Sequence, residues 1–235
     1  MDSIKFEHMS KPKMIAHRGL SGVKLENSLE AFILAAQHTY YGVETDIHVT
    51  LDKKFVTCHD SSLLRTSGFD LVIENTLYDD LRAVKLNNGE PIPNLMEYLN
   101  ACKNGNKVCV IELKEKFEKE DILSFIQIIN DFNYKDKILL ISFDYDNIQT
   151  LVDNSDYKCQ ILSGLESEEV KQKVIDFAIK NKIGVDVYFA NLTKEFVDIC
   201  HENNVEVNVY TVDKIEDAHK MIEYGVDYIT SNILE

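Results

Sequence analysis

The chain has 235 residues, and 45% of them are hydrophobic, which is enough for the core of one large α/β domain or two small ones. Its 25 Lys and Arg residues stand against 40 Asp and Glu residues, so the formal net charge is -15 at pH 7. An acidic chain without a basic tract repels nucleic acid and anionic membranes. We therefore expect no nucleic-acid partner, and nothing in the sequence predicts an oligomeric state.

The cysteines and the hydropathy pattern bear on the compartment. The 5 cysteines are widely spaced and include no C-x-x-C pair, which is typical of reduced thiols. The first residues, MDSIKFEHMSKPK, lack the apolar core of a signal peptide, and the chain has no apolar run of about 18 residues. These features predict a cytoplasmic protein without stable membrane insertion.

Short apolar runs alternate with longer amphipathic stretches along the chain. The runs predict eight strands, at residues 13–18, 43–50, 107–113, 137–142, 159–164, 183–189, 205–211 and 227–230. The amphipathic stretches predict helices at residues 27–39, 94–104, 118–132, 146–154, 168–181, 193–204 and 215–225. This alternation is typical of α/β proteins and predicts a closed (β/α)8 barrel, the TIM barrel, with an open doubly wound sheet as the alternative. Two features favour the barrel: no G-x-G-x-x-G or Walker loop is present, and charged residues end several strands.

No low-complexity linker divides the chain, so residues 1–235 are expected to form a single catalytic domain. The irregular stretch 59–94 is too long for an ordinary loop. We interpret it as a small insertion on the catalytic face, after the second barrel strand.

Carboxylates occupy the ends of the second and third barrel strands. Because side chains alternate across a strand, Glu44 and Asp46 share one face of the second strand, and Glu112 shares a face of the third with Lys114. Buried carboxylates need a counter-charge. Oxygen ligands converging from neighbouring strands suit one divalent ion, either Mg²⁺ or Ca²⁺, with Mn²⁺ as a further candidate.

Two imidazoles accompany these carboxylates. His17, followed by Arg18, ends the first strand, and His59 ends a short strand-like run after the second. Imidazoles titrate near neutral pH, so the pair is suited to proton transfer. His48 shares a face with Asp46 and is a weaker candidate, with a supporting or core role as the alternative.

Several motifs resemble the glycerophosphodiester phosphodiesterase family in order and spacing. They are HRGLSGVKLENSLEAF, GVETDIHVTLDKKFVTCHD, IPNLMEYL, VIELK, ISF and YTVD, and they extend over nearly the whole chain. The resemblance implies a TIM barrel, a divalent metal ion, and hydrolysis of a small-molecule glycerophosphodiester to sn-glycerol 3-phosphate and an alcohol. It also implies roles for individual residues: metal ligands at Glu44, Asp46 and Glu112, an acid and base pair at His17 and His59, and phosphate contacts at Arg18 and Lys114.

The chain departs from the family pattern at two places. Tyr210 stands where the family usually has Trp, and Ser231 and Ile233 replace the Asp and Pro of a T-D-x-P motif. We expect both departures to face the pocket and to affect the alcohol group more than the chemistry. Further candidates for the substrate pocket are Phe143, Tyr188 and Tyr210, with Arg65 and Thr66 in the insertion.

Hydrolysis of a phosphodiester places three requirements on the active site: neutralisation of the phosphate charge, activation of a nucleophile, and protonation of the departing alkoxide. The metal ion, Arg18 and Lys114 would supply the first, and His17 and His59 the other two. The nucleophile is either water or a glycerol hydroxyl of the substrate, and either histidine fits either role.

Structural interpretations compete with some of these roles. Arg18 and Lys114 have the alternative of pairing with the carboxylates. Asn27 is interpreted as the N-cap of the first long helix, with Glu30 at the third helical position. Cys58 precedes His59 and faces the opposite side of its strand, so a Cys–His nucleophile is not expected.

Two other functions compete with the first. One is a phospholipase D-like or phosphoinositide-type phosphodiesterase on the same barrel, which would want an apolar or basic loop facing a membrane. The other is a non-catalytic phosphate-binding or interaction protein, which would be expected to have lost a metal ligand or a histidine. The acidic composition argues against the former, and the presence of all the motif residues argues against the latter.

Overall fold

The computed structural model describes residues 3–5 and 12–235, so most of the N-terminal stretch 1–13 lies outside the described residues. Its strands are β1 Lys13–Ala16, β2 Gly42–Val49, β3 Phe55–Thr57, β4 Val108–Leu113, β5 Ile138–Ser142, β6 Lys158–Ser163, β7 Gly184–Tyr188, β8 Val207–Tyr210 and β9 Tyr228–Ser231. All pairings are parallel except that of β3 with β2. Strand β1 pairs with both β9 and β2, which closes the sheet into a barrel. The predicted TIM barrel is confirmed, and the open sheet is excluded.

Helices surround the barrel, and each predicted helix is present. They are α1 Leu29–Gln37, α2 Leu64–Ser67, α3 Tyr78–Ala83, α4 Leu95–Asn104, α5 Lys119–Asp131, α6 Tyr145–Asn154, α7 Glu168–Asn181, α8 Lys194–Glu202 and α9 Ile215–Tyr224. In the part of the chain that the structure describes, no helix combines the length and the apolar composition needed to cross a membrane.

Alternation along the strands separates the core into an inner and an outer layer. The outer layer lies between strands and helices and includes Leu140 of β5. The inner layer fills the barrel with side chains of the opposite parity: Ile15, Val108, Val110, Leu139, Ile141, Leu162 and Tyr228. These apolar side chains fill the barrel interior, so polar side chains farther along the strands collect at the C-terminal mouth.

The predicted insertion contains helices rather than a long irregular loop. Helices α2 and α3 and a 3₁₀ turn at Ile73–Asn75 lie between β3 and α4. They share a small core made of Val56, Cys58, Leu63, Ile73, Leu81, Leu86 and Ile92. At its end, Asn94 and Glu97 form a reciprocal capping box that starts α4, and Arg82 of α3 pairs with Glu97. The insertion is therefore anchored on both sides, and it carries His59 to the mouth of the barrel.

Candidate active site

A cavity of about 330 Å³ opens at the C-terminal ends of the barrel strands. Of the predicted site residues, it is lined by His17, Arg18, Glu44, His59, Glu112, Phe143, Tyr188 and Tyr210. Asp46 and Lys114 do not line it, but both contact its wall: Asp46 pairs with Arg18, and Lys114 pairs with Glu112. The barrel thus brings the residues of separate sequence motifs to one place.

Three carboxylates form the acidic part of this site. Glu44, Asp46 and Glu112 each offer an oxygen, and these oxygens all lie within 4.8 Å of one another. Asp46 and Glu112 are register partners on the adjacent strands β2 and β4, which explains their closeness. The three residues are only 2%, 1% and 6% exposed, respectively. Like charges this close and this buried require a compensating cation.

The pKa values reflect this shortage of positive charge. Burial raises the pKa of Glu44 well above its ordinary value, and the carboxylates of Asp46 and Glu112 raise it further. Burial, followed by Asp46, raises the pKa of Glu112 to about 8. Burial also opposes ionisation of Asp46, but Lys114 and Arg18 outweigh it and lower the pKa of this carboxyl. Lys114 and Arg18 therefore outweigh the effect of burial at Asp46, but not at Glu44 or Glu112.

Lys114 and Arg18 contact the cluster directly. Lys114 Nζ lies 3.0 Å from Glu112 Oε1 and 3.5 Å from Asp46 Oδ1. The Arg18 amide donates to Glu44 Oε2 at 2.8 Å, while the Arg18 guanidinium lies 3.3 Å from Asp46 Oδ2 and also pairs with Glu26. Both side chains therefore form the ion pairs with carboxylates that the sequence offered as the alternative to a phosphate contact.

Two oxygens of the cluster have an ion-pair contact but no hydrogen bond. Asp46 Oδ1 and Glu112 Oε1 are buried and lie at ion-pair distance from Lys114 Nζ, and neither has a hydrogen-bond partner among the described residues. Carboxylate oxygens are the donors that Mg²⁺, Ca²⁺ and Mn²⁺ prefer. The three carboxylates, the short distances between their oxygens and the two oxygens without a hydrogen bond all fit one divalent cation.

The interpretation of Asn27 as a helix cap is wrong. Helix α1 is capped by Ser28, whose side chain accepts from the Ala31 amide. Asn27 instead adopts a φ of 52° and turns into the site, where its Nδ2 donates to Asp46 Oδ2 at 2.7 Å and its Oδ1 accepts from the Thr45 hydroxyl. Both Asn and Ser are good caps, so the sequence alone does not choose between adjacent ones. Asn27 fixes the orientation of a candidate metal ligand.

His17 is held by a group that sequence reasoning missed. Its Nδ1 lies 2.8 Å from Asn232 Oδ1. The Asn232 amide is itself oriented, because its Nδ2 and its backbone N–H both donate to the Asp213 carboxylate. With the amide oxygen facing His17, Nδ1 must be the protonated nitrogen and Nε2 carries the lone pair. Burial, with Arg18 as the second cause, lowers the pKa of His17 to about 4, so its neutral form prevails.

His59 has a different environment. Its Nδ1 lies 2.8 Å from Asp60 Oδ1, and Arg65 donates to the other Asp60 oxygen. The hydrogen bond from Arg65 lowers the pKa of Asp60 to about 2. Nδ1 therefore donates to the Asp60 carboxylate, which fixes the orientation of the His59 ring. Arg65 also forms two hydrogen bonds with Glu26, and Arg18 contacts the same carboxylate, so the insertion is tied to the end of β1.

Aromatic rings form the other side of the cavity. Phe143 and Tyr188 each contact Tyr210, with ring centroids 6.0 Å and 6.1 Å apart, respectively. The expectation for the second departure from the family pattern is wrong: Ser231 does not line the cavity but is fully buried, and it donates to Asp213. It contacts the site through Asp213, which also holds Asn232, and through its carbonyl oxygen, which accepts from the His17 backbone N–H.

The remaining candidates lie outside the cavity lining. His48 is buried with Nε2 3.3 Å from the His59 carbonyl oxygen, so it supports the backbone of that residue. Thr66 is buried within the insertion, and its hydroxyl contacts the Leu63 carbonyl. Burial raises the pKa of Cys58 to about 12, which agrees with the expectation that it is not a nucleophile.

The fold and the site define a class: a TIM-barrel enzyme with a carboxylate cluster and two imidazoles at the C-terminal mouth. The profile of the glycerophosphoryl diester phosphodiesterase family matches residues 17–234. The chain belongs to this family and is an enzyme that acts on phosphoric diesters.

Individual relatives agree with this assignment. The chain is similar to a glycerophosphodiester phosphodiesterase of Caldanaerobacter subterraneus subsp. tengcongensis, with 25% identity over 232 residues and 94% of each chain. A solved glycerophosphodiester phosphodiesterase of Parabacteroides distasonis gives a TM-score of 0.82 at 25% identity, over 99% of this chain and 94% of that one. A phosphodiesterase of Oleispira antarctica, solved with the product sn-glycerol-3-phosphate, has a TM-score of 0.86 at 23% identity, over 94% of this chain and 93% of that one.

The low pKa of His17 predicts a pH dependence of stability. An unfolded chain protonates this residue near its ordinary pKa of 6.5, whereas the folded chain does so only near 4. The unfolded state therefore binds the proton first, and the free energy of unfolding falls as the pH is lowered from about 6.5 to about 4. Urea unfolding at several pH values should show a smaller fall in His17→Gln than in the wild type. Equal slopes in the two proteins would contradict the assignment of His17 as a neutral imidazole.

Proposed function

We propose that the chain hydrolyses glycerophosphodiesters to sn-glycerol 3-phosphate and an alcohol, using one divalent cation and two histidines. The observation that carries this proposal is the cluster of Glu44, Asp46 and Glu112 in the same cavity as His17 and His59. Family membership and the product bound by the Oleispira antarctica relative support the choice of substrate.

The cation would be held by Glu44, Asp46 and Glu112. Mg²⁺, Ca²⁺ and Mn²⁺ all suit this oxygen set, and any of them would neutralise phosphate charge when bound. With the carboxylates so engaged, Arg18 and Lys114 can exchange part of their carboxylate contacts for phosphate oxygens. Both cations already lie beside the cluster, so the exchange needs only side-chain motion.

The environments of the two histidines suggest different roles. His17 is neutral and presents its Nε2 lone pair, so we assign it the proton of the attacking hydroxyl, whether from water or from the glycerol of the substrate. His59 lines the same cavity and is oriented by the Asp60 carboxylate at its Nδ1, so we assign it the proton that the departing alkoxide takes up. The same two groups exchange these roles if a cyclic phosphate forms first and is then hydrolysed.

We also propose that residues 1–235 work as one catalytic domain, since the insertion at 59–94 contributes His59 to the cavity. The five cysteines are free and buried, which supports a place in the cytoplasm.

Metal dependence is tested by the release of sn-glycerol 3-phosphate from a panel of glycerophosphodiesters. We expect EDTA to lower the rate at least about 100-fold, and Mg²⁺, Ca²⁺ or Mn²⁺ to restore it, because the carboxylate cluster lacks another adequate counter-charge. Glu112→Gln should lower the rate similarly, whereas Glu120→Gln on the exposed face of α5 is the control. An undiminished rate in excess EDTA would refute metal dependence.

The roles of the histidines are tested with two leaving groups. Removing the proton donor should slow hydrolysis of an alkyl ester far more than that of a nitrophenyl ester, because nitrophenolate departs without a proton. We expect His59→Ala to show this difference, and His17→Ala to lose at least about 100-fold in kcat on both esters. His201→Ala, on the exposed side of α8, is the control. The reverse pattern would exchange the two roles, and equal losses in both variants on both esters would contradict the division.

A further inference from the structure

Arg65 of the insertion lies behind the cavity, although the sequence suggested it as a residue of the pocket. It does not line the cavity, and its side chain is 48% exposed. The guanidinium contacts two carboxylates. Its Nε donates to Asp60 Oδ2 at 2.7 Å, and its Nη1 and Nη2 donate to Glu26 Oε2 and Oε1 at 2.8 Å and 2.7 Å, respectively. One side chain therefore joins the insertion to the segment between β1 and α1.

Both of these carboxylates also contact side chains that line the cavity. Asp60 Oδ1 lies 2.8 Å from His59 Nδ1, and Glu26 Oε1 accepts from Arg18 Nη1 at 2.9 Å. Five side chains thus form one continuous network, in the order His59, Asp60, Arg65, Glu26 and Arg18. One end of the network is the proposed proton donor, the other is the proposed phosphate contact, and Arg65 lies at the centre.

The contact with Glu26 orients the Arg18 guanidinium. Glu26 accepts from Nη1, whereas Nε lies 3.3 Å from Asp46 Oδ2 and forms no hydrogen bond among the described residues. A carboxylate can accept two parallel hydrogen bonds from one guanidinium, so Glu26 without Arg65 could turn both of its oxygens toward Arg18. Because Arg65 occupies both oxygens, it opposes this rearrangement and keeps Arg18 beside the carboxylate cluster.

The contact with Asp60 orients His59 in a similar way. The Asp60 side chain is 35% exposed, and a carboxylate next to water has a broad range of rotations about its terminal bond. The hydrogen bond from Arg65 to Oδ2 restricts this rotation and leaves Oδ1 directed at His59. An imidazole held at Nδ1 by an oriented acceptor presents its other nitrogen in one direction.

Anchoring of the insertion would be a purely structural role for Arg65. The insertion has other anchors: its own apolar core, the capping box of Asn94, and the ion pair of Arg82 with Glu97. The Arg65 backbone is held separately, because its carbonyl oxygen accepts from the Asn87 side chain. Loss of the guanidinium should therefore displace the two carboxylates while the insertion stays folded.

We propose that Arg65 is a positioning residue for both ends of this network. Through Asp60 it orients His59, and through Glu26 it orients Arg18. The inference rests on the proposed roles of His59 in proton transfer and of Arg18 in phosphate binding. A planar guanidinium suits this task because its N–H groups reach two carboxylates at once. Lysine keeps the charge but lacks this geometry, so Arg65→Lys separates positioning from charge.

The effect on His59 is tested with alkyl and nitrophenyl esters of glycerol phosphate. We expect Arg65→Lys to lower kcat at least about fivefold more on the alkyl ester, because nitrophenolate departs without a proton. In an Asp60→Asn background, Arg65→Lys should not change the ratio further, since the link to His59 is already broken. Arg82→Lys is the matched control, because it alters a second pair of hydrogen bonds from an arginine of the insertion to a carboxylate. An unchanged ratio in Arg65→Lys, or the same change in Arg82→Lys, would overturn the inference.

The effect on Arg18 is tested by binding, without turnover. Inorganic phosphate is titrated calorimetrically into the protein in the presence of Mg²⁺. We expect Arg65→Lys to weaken binding at least about fivefold, because Glu26 then draws Arg18 away from the cluster. In a Glu26→Gln background the same substitution should have no effect.

This binding measurement also separates the inference from the proposed function. A result as expected would support the positioning role even if no glycerophosphodiester were hydrolysed, which would refute only the proposed function. Three results would overturn the inference: no phosphate binding by the wild type, an unchanged affinity in Arg65→Lys, or a loss of affinity that persists in the Glu26→Gln background.

Discussion

Burial of three carboxylates at the mouth of the barrel is the constraint on which the site depends. Glu44, Asp46 and Glu112 lie within 4.8 Å of one another and are nearly inaccessible to water. Arg18 and Lys114 bring the pKa of Asp46 below its ordinary value, whereas burial keeps the pKa values of Glu44 and Glu112 raised. Burial raises the free energy of the remaining negative charge. A divalent cation would compensate that charge and would also attract an anionic substrate to the same site. The carboxylate cluster thus favours a cationic ligand over a neutral one.

The two sides of the cavity differ in the side chains that the barrel strands supply. Strands β1, β2 and β4 supply the charged groups, and the later strands supply the rings and Asp186. Contacts from loops then fix the two imidazoles: Asn232 and Asp213 orient His17, and Asp60 and Arg65 orient His59. These orienting groups give two chemically identical imidazoles different surroundings, an amide beside His17 and a carboxylate beside His59.

The alternation of strand and helix patterns predicted the fold, and strand parity predicted the acidic cluster. The spacing of Glu44 and Asp46 places both on one face, and parallel neighbours bring Glu112 beside them. The same parity links Asp186 to the predicted pocket residue Tyr188, so a signal for Asp186 was present. A single Asp in an apolar strand does not show whether it faces a core or a cavity, however, and the sequence therefore did not single it out.

Other parts of the site lacked any local signal. Asn232 and Asp213 act through contacts between two separate loops, and no periodicity predicts which side chains meet across such loops. Asn27 was misread because its neighbour Ser28 is an equally good cap, and only the fold decides which of them turns toward Asp46. Ser231 was expected to face the pocket, but its hydroxyl instead contacts Asp213. These residues were not predicted because contacts between loops, which no strand pattern describes, determine where their side chains lie.

The central claim is that the carboxylate cluster exists to hold one divalent cation, and a binding measurement tests it apart from catalysis. Protein treated with EDTA and then dialysed is titrated with Mn²⁺, and the bound ion is counted by electron paramagnetic resonance. The account predicts one Mn²⁺ per chain in the wild type and in His17→Ala, and at least about tenfold weaker binding in Glu112→Gln. The absence of a stoichiometric site, or equal affinity in Glu112→Gln, would contradict it.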